Sequence, residues 1–322
     1  MSALVPSLVA GFRSIRGNPG LVLLVLATNL ALALVLAVPF ADTLERDLAH
    51  TGASRSMMYG FDYDWWARFG PTASGPAASF APDLLGTGFA LRNLDLLLRG
   101  VIPAGLFASE KGPDAAILGM GVLYLVLQVF LTGGLLGVFR APAGGWTFRS
   151  LVHGSGFYFG RLLRVSLLAL AAASLVFAAN GPLARWVDRL ATEAVSERTA
   201  LALTLGRWAL LLVLLVLVHM VSSHAKVLVV REERLSAVLA FASSAAFCAR
   251  RLVSALGQYL VVFVLAALLL GGFGFVDRHL TVTGFRTQLA AFLLFEALVG
   301  ARVALRLGLL ASQLELQERF RR

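Results

Sequence analysis

The sequence predicts an all-α, polytopic membrane bundle of about six transmembrane helices. Three observations carry that prediction. The first is a set of six long apolar runs, at residues 21–40, 115–139, 162–179, 201–220, 253–275 and 289–310. Each is near or above the ~18–20 residues that a helix needs to cross ~30 Å of hydrocarbon. The second is composition: 58% of residues are hydrophobic and 14% charged, against ~25% charged in a soluble domain. The third is charge: basic loops alternate with balanced or acidic ones, which reads as sidedness.

The first segment, 1–19, reads as a cytoplasmic amphipathic stretch carrying Arg13 and Arg16. Basic residues before an apolar run also open signal peptides. The run from Leu21 exceeds the ~7–15 residues of such a core, so a retained first helix is expected. Asn29 falls near the middle of span one.

Residues 41–114 form an extracytoplasmic lid, too long for a structureless connection. Two helices are expected in it, one over 43–50 with Thr43 as N-cap, the other over 82–99 with Leu84, Leu85, Phe89, Leu91, Leu94 and Leu98 apolar. Between them lies an aromatic patch of Tyr59, Phe61, Tyr63, Trp65 and Trp66, with Asp62 and Asp64. Aromatics at this density suit the headgroup layer. Asp62-x-Asp64 alone lacks the partner carboxylate that a metal-dependent sugar transferase needs.

Span two carries Gln128 at mid-depth and Gly133 and Gly137 at small-xxx-small spacing, a packing signal for membrane helices. The amphipathic loop 140–161 follows, and between spans two and three lie Arg140, Arg149, Arg161 and Arg164 with no acid. After span three, Arg185, Arg189 and Arg198 face Asp188, Glu193 and Glu197. Span four contains Arg207. The loop 223–252 carries Lys226, Arg231, Arg234, Arg250 and Arg251 against Glu232 and Glu233. Gly271, Gly272 and Gly274 are expected to loosen or end span five. A cytoplasmic tail, 311–322, closes one membrane domain spanning 1–322. The positive-inside rule puts both termini in the cytoplasm, which agrees with an even number of spans. The arginines 140, 149, 161, 164, 250 and 251 (Arg140, Arg149, Arg161, Arg164, Arg250, Arg251) are the expected contacts to anionic lipid.

The cytoplasmic segments resemble one another. Ser7 to Phe12, Ser150 to Gly154 and Ser236 to Phe241 each precede an outward span and a basic cluster. They suggest three repeats of an interfacial helix with a serine N-cap, an elbow and a helical hairpin. Convergence of interfacial amphipathic helices is the competing explanation.

Charges at membrane depth cost ~2.5–3.5 kcal/mol or more near the centre. Glu296 and Arg207 lie at similar depth from the outer side, so an ion pair between them is expected. Arg302 and Arg306 share one face of span six. These groups, with Asn29 and Gln128, read either as a clamp on span six or as a polar pathway.

Net charge is +10, yet no basic–aromatic module or zinc-finger spacing points to nucleic acid. Cys248 is the single cysteine, which excludes an internal disulfide and a cysteine-rich metal site. No Walker A, GxGxxG or HExxH motif occurs, and His219 and His224 are too far around one helix to share a metal. Gly154-Ser155-Gly156 has no base presented from another helix, so nucleophilic catalysis is not indicated. No cofactor and no metal are expected. The arginine bias, with only Lys111 and Lys226 as lysines, suggests a GC-rich bacterial genome.

Three segments carry a resemblance: Asp62-Tyr63-Asp64-Trp65-Trp66, Phe130-Leu131-Thr132-Gly133-Gly134, and Lys226 to Glu233 leading into Ser236-Ala237. On them the chain resembles a loosely defined group of uncharacterised bacterial six-transmembrane-helix proteins. The third is also faintly similar to the membrane domains of glycerophosphodiester phosphodiesterases and to Yip-type proteins. The resemblance implies a helical bundle with amphipathic elbows and no activity. The expectation is a non-enzymatic, multi-pass inner-membrane protein that organises lipid or a membrane-protein partner. The alternatives are a small transporter or permease subunit with a polar site near Glu296 and Arg207, and a lipid-modifying membrane enzyme.

Overall fold

The computed structural model of the chain describes residues 3–49, 51, 53–57, 61–73, 77, 115–141, 146–194, 196–280 and 284–320. Among these there is no strand. The helices in order are α1 (Leu4–Arg16), α2 (Pro19–Ala49), α3 (Ala53–Ser56), α4 (Tyr63–Thr72) and α5 (Ala115–Arg140), then α6 (Phe148–Glu193), α7 (Glu197–Glu232), α8 (Ala237–Arg250), α9 (Leu252–Asp277) and α10 (Phe285–Arg319). Six of them, α2, α5, α6, α7, α9 and α10, are long and apolar enough to cross a membrane. Each contains one of the six apolar runs. The chain is a multi-pass helical membrane protein.

Packing divides the chain into two compact units, Met1–Ala27 with Gln128–Arg322, and Thr28–Leu127. In the larger unit α1 packs on the last turns of α10, and α8 on α6 and α7, and buried residues gather at this end. Leu136, Leu151, Leu162, Val227 to Val230 (Leu228 nearly so) and Leu316 are shut from solvent there. We call this the basic end. Further along the same helices large apolar side chains face outward, among them Leu205, Val213, Phe263, Leu268, Phe275 and Phe292. Such a belt is stable only where hydrocarbon replaces water.

Two glycine crossings bring helices together at the basic end. A Cβ on Gly134 would collide with the Leu151 carbonyl and the Ser155 hydroxyl, and Gly154 lies against Gly134. Gly133 meets Tyr158 and Leu162, so the small-residue stripe of α5 does face α6. In the second crossing a Cβ on Gly11 of α1 would stand 2.5 Å from the Ser312 backbone nitrogen of α10. Absent side chains allow the backbones to approach, which is how helices gain van der Waals contact without a hydrophobic drive.

Several expectations about element ends are corrected. The second repeat has no elbow. In α6 the buried residues Leu151, Ser155, Tyr158, Leu162 and Val165 recur every three or four positions straight into the span, and nothing interrupts them. Its cap is Thr147, in a reciprocal capping box with Ser150 at 3.1 Å each way. A separate short helix with a break does occur at α1–α2, through Gly17 and Asn18, and at α8–α9, through Arg251. Ser236 is the N-cap of α8, accepting from the Leu239 N–H at 3.3 Å. Ser7 is not a cap but lies buried inside α1. α2 runs through Pro39 to Ala49, and Thr43 Oγ donates to the Pro39 carbonyl at 2.9 Å, so no new helix starts at Thr43. The hydroxyl and the missing proline donor are both accommodated within one continuous helix. α9 continues past Gly271, Gly272 and Gly274 to Asp277. Residues 311–319 are not tail but the most buried turns of α10.

The smaller unit has its own core of Ala53, Trp65, Phe69 and Ala77, packed against Phe40, Leu44, Leu48 and Met57. Asp62 caps α4, accepting from the Trp65 N–H at 2.8 Å and from Ser56 Oγ at 2.6 Å. The Trp65 indole donates to Asp47 at 2.7 Å and stacks on Phe69 at 4.6 Å. The aromatic patch is therefore split. Trp65 is core, while Tyr63 is 65% exposed, with Phe61 against its edge. Trp66 is half-buried and Asp64 exposed. Tyr59 and the expected helix over 82–99 lie outside the described residues.

Candidate functional site

The last turns of α10 present polar residues at helical spacing. Arg306, Gln313 and Gln317, with Leu310 between, form one stripe; α7 presents His219, Ser223 and Lys226 in the same way. Residues three and four apart share a helix face, and the two faces meet. Ser223 Oγ donates to Gln313 Oε1 at 2.5 Å. Gln313 Nε2 donates to the Tyr259 hydroxyl at 3.2 Å, and that hydroxyl stands 3.0 Å from His219 Nδ1. The Tyr259 hydroxyl thus bridges α10 and α7, accepting from Gln313 and in hydrogen-bond contact with His219.

One turn further, Gln317 Nε2 donates to the His224 carbonyl and to His224 Nδ1, both at 3.0 Å. On the neighbouring face, Gln258 of α9 is completely buried. Its Nε2 donates to Ser7 Oγ of α1 at 3.2 Å and to the Ser312 carbonyl at 2.9 Å. Ser244 of α8 donates to the Val221 carbonyl at 2.7 Å. Helices α1, α7, α8, α9 and α10 are thus cross-linked by buried side chains. Each such bond in a membrane bundle contributes on the order of 0.6 kcal/mol. Gln258 Oε1, Gln317 Oε1 and His224 Nε2 are buried without a protein partner.

Beside this network lies a cavity of about 130 Å³ lined by Gln128 and Thr132 of α5, His219, Ser222, Ser223 and Lys226 of α7, and Arg306 of α10, with Val25 and leucines completing the wall. Its lining holds two cations and no carboxylate. Lys226 sits about 9 Å below the end of α7, taking ~1.5 Å of rise per residue.

A second, larger cleft of about 590 Å³ opens between α1 and the start of α6. Arg13, Ser14 and Asn18 line one side, and Trp146, Ser150, His153, Phe157 and Tyr158 the other. Basic, hydroxyl and aromatic groups stand together there, as in a site for an amphiphile.

Compared with known proteins, the chain matches no protein-family model, no curated protein and no solved structure. Its function is therefore argued from these residues alone.

The structure sorts the sequence-predicted residues sharply. Glu296 and Arg207 form no ion pair; the expectation fails. The Arg207 guanidinium lies over its neighbour Trp208 at 4.7 Å, with its buried Nε lacking a hydrogen-bond partner, and Glu296 is half-buried. Similar depth does not fix rotation about the helix axis, and rotation decides which residues meet. Arg302 and Arg306 are both exposed, and Arg306 reaches the cavity. Gln128 is buried on the cavity wall, whereas Asn29 is half-buried in the smaller unit.

The six arginines expected at lipid also divide. Arg140 is a staple: its guanidinium donates to the Val230 carbonyl and to Glu233, both at 2.9 Å. Arg161 donates to the Glu233 carbonyl at 3.2 Å and covers Phe157. Together they hold Glu233 in the left-handed conformation, φ 52°, that ends α7, a geometry costing a non-glycine residue ~1–2 kcal/mol. Arg251 lies over Phe320 at 4.3 Å. Arg149, Arg164 and Arg250 are exposed.

Sequence reasoning missed Ser7, Ser223, Lys226, Tyr259, Gln258, Gln313 and Gln317 as members of the polar network and cavity. The available signal was the i, i+4 and i, i+3 spacing of His219, Ser223 and Lys226, and the i, i+4 spacing of Gln313 and Gln317. It was hidden because Lys226 reads as part of a basic loop and residues 311–322 as a tail.

Proposed function

We propose that the chain is a non-catalytic membrane protein, in a bacterial inner membrane with both termini cytoplasmic, that holds anionic lipid at its basic end and thereby organises lipid or a partner protein. The cleft between α1 and α6 carries this reading. Arg13 at its edge, His153 and the hydroxyls of Ser14 and Tyr158 suit a phosphorylated headgroup. Trp146 and Phe157 suit the glycerol and upper acyl chain. Exposed Arg16, Arg149 and Arg164 extend the positive surface around it. Surface arginines near an anionic leaflet are each worth about 1 kcal/mol.

The buried Gln258, Gln313, Gln317 and Ser244 support a holding role over a conducting one, because each is spent on a hydrogen bond between helices. The transport alternative anticipated a wet cavity at Glu296 and Arg207; neither the 130 Å³ cavity nor the 590 Å³ cleft is lined by them.

The test is reconstitution in nanodiscs of mixed zwitterionic and anionic phospholipid, with mass-spectrometric analysis of the lipids held by the protein. The native chain enriches the anionic lipid, and the Arg13→Gln/Arg149→Gln variant reduces that enrichment severalfold. Equal enrichment in both overturns the reading. Cysteine labelling at either end from one side of sealed vesicles tests orientation.

A further inference from the structure

We infer that the 130 Å³ cavity between α5, α7 and α10 is a built site for one phosphate group, supplied either by a phospholipid headgroup or by free phosphate. It is separate from the cleft at α1 and goes beyond the lipid-holding reading, since a surface attracts anions loosely while two cations on one small cavity take one.

The cavity is lined by Lys226 from α7 and Arg306 from α10, and neither has an ion-pair partner among the described residues. The nearest acids along their own helices are already engaged. Glu232 is held by Arg231 and Arg234, Glu233 by Arg140, and Glu315 by Arg319. Glu296 lies about 15 Å away along α10 by helical rise. Two like charges on one cavity in low dielectric repel strongly, and ionisable groups at membrane depth persist where a counter-charge or water meets them. An anion between the two cations converts that repulsion into attraction.

The donor set points to the kind of anion. Ser222, Ser223 and Thr132 already donate to the His219 carbonyl, to Gln313 and to the Gln128 carbonyl. The charged donors left are the Lys226 ammonium and the Arg306 guanidinium. A forked guanidinium plus a point-charge ammonium is the pairing that phosphate oxygens favour. Size agrees, because an engineered cavity of ~150 Å³ accommodates one benzene ring. The cavity here suits the five heavy atoms of a phosphate and is too small for a nucleotide. Arg306 is exposed, which gives the anion a route in.

The experiment uses the full chain purified in a neutral detergent. In one arm, native mass spectrometry and phosphorus analysis count phospholipid retained per chain. In the other, delipidated protein is titrated with inorganic phosphate and its thermal unfolding followed. One phospholipid per chain that the native protein retains and Arg306→Gln loses, with no phosphate response, identifies the lipid source; a saturable phosphate response without such a lipid identifies the free anion. In either case Lys226→Gln and Arg306→Gln weaken binding about tenfold or more, while Lys226→Arg retains it. Arg306→Gln changes an exposed residue, so it tests the site even where Lys226→Gln misfolds. Arg13→Gln, which weakens enrichment at the cleft, leaves this binding unchanged, so the two readings fail separately. Absence of stoichiometric binding in both arms, or binding that survives Arg306→Gln, overturns the inference.

Discussion

Replacing Gly11, Gly308 and Gly271 by alanine one at a time tests whether the α1–α10 crossing holds the basic end together. All three glycines are helical, so each alanine gains ~0.8–1 kcal/mol of intrinsic helix propensity. What differs is the space. At Gly271 nothing lies within 4 Å of the added methyl, so the propensity gain stands and the protein is stabilised by up to about 1 kcal/mol. At Gly11 the methyl would sit 2.5 Å from the Ser312 nitrogen and 2.7 Å from its Cα. Backbone cannot rotate away, so α1 must move off α10 at an overpacking cost of ~1–3 kcal/mol or more. It would also draw Ser7 from Gln258. The net expectation is destabilisation of about 1–2 kcal/mol. At Gly308 the obstacle is the Phe12 ring, 2.5 Å away at its nearest atom. A ring can swing, so Gly308→Ala falls between the other two. Tryptophan fluorescence during thermal unfolding in detergent gives the order of stability. Limited trypsinolysis at Arg13 and Arg16 reports release of α1. A Gly11→Ala protein as stable as Gly271→Ala, with α1 equally protected, would refute the packing argument.

Three further outcomes are expected. A double-mutant cycle of Gln258→Leu and Ser7→Ala gives a coupling of about 0.5–1.5 kcal/mol; zero coupling by chemical unfolding would remove that bond from the account. The Ser56 hydroxyl and then the Trp65 N–H hold the Asp62 carboxyl below its ordinary value of 3.8. A depressed folded pKa means that this contribution is complete above the unfolded value and is lost as pH falls through the lower, folded one. Trp65 fluorescence should therefore change only below about pH 4, and a transition centred near neutrality would contradict it. Burial raises the Cys248 thiol to about 11, so a maleimide at pH 8 labels it slowly in the folded protein and rapidly in denaturant; equal rates would place Cys248 at the surface.

The candidate site was legible in fragments. Gly133 and Gly137 announced a close crossing, because small residues at that spacing have few other uses in a membrane helix. Arg306 and Gln128 stood out as polar groups in apolar runs, and both reached the cavity wall. Glu296 and Arg207 stood out equally and never met. Nothing in the sequence separates these outcomes, since depth follows from counting residues while rotation follows from packing against other helices. Lys226, Gln313 and Gln317 were passed over because they follow the apolar runs, where a water-exposed loop is the natural reading. In the structure the helices continue there and bury them.

What the sequence by itself determined is the medium and the number of crossings. Hydropathy adds up along a local stretch, and ~20 apolar residues settle their own solvent whatever their neighbours do. What only the tertiary structure decided is which polar groups share an environment. Gln258 finds Ser7 at a separation of 251 residues, and Arg140 finds Glu233 at 93. Within hydrocarbon, helices choose partners by shape and by a few hydrogen bonds of less than about 1 kcal/mol each. Choices made on such small differences, between elements far apart in the chain, leave a polar face legible within one helix but not the helix that it meets.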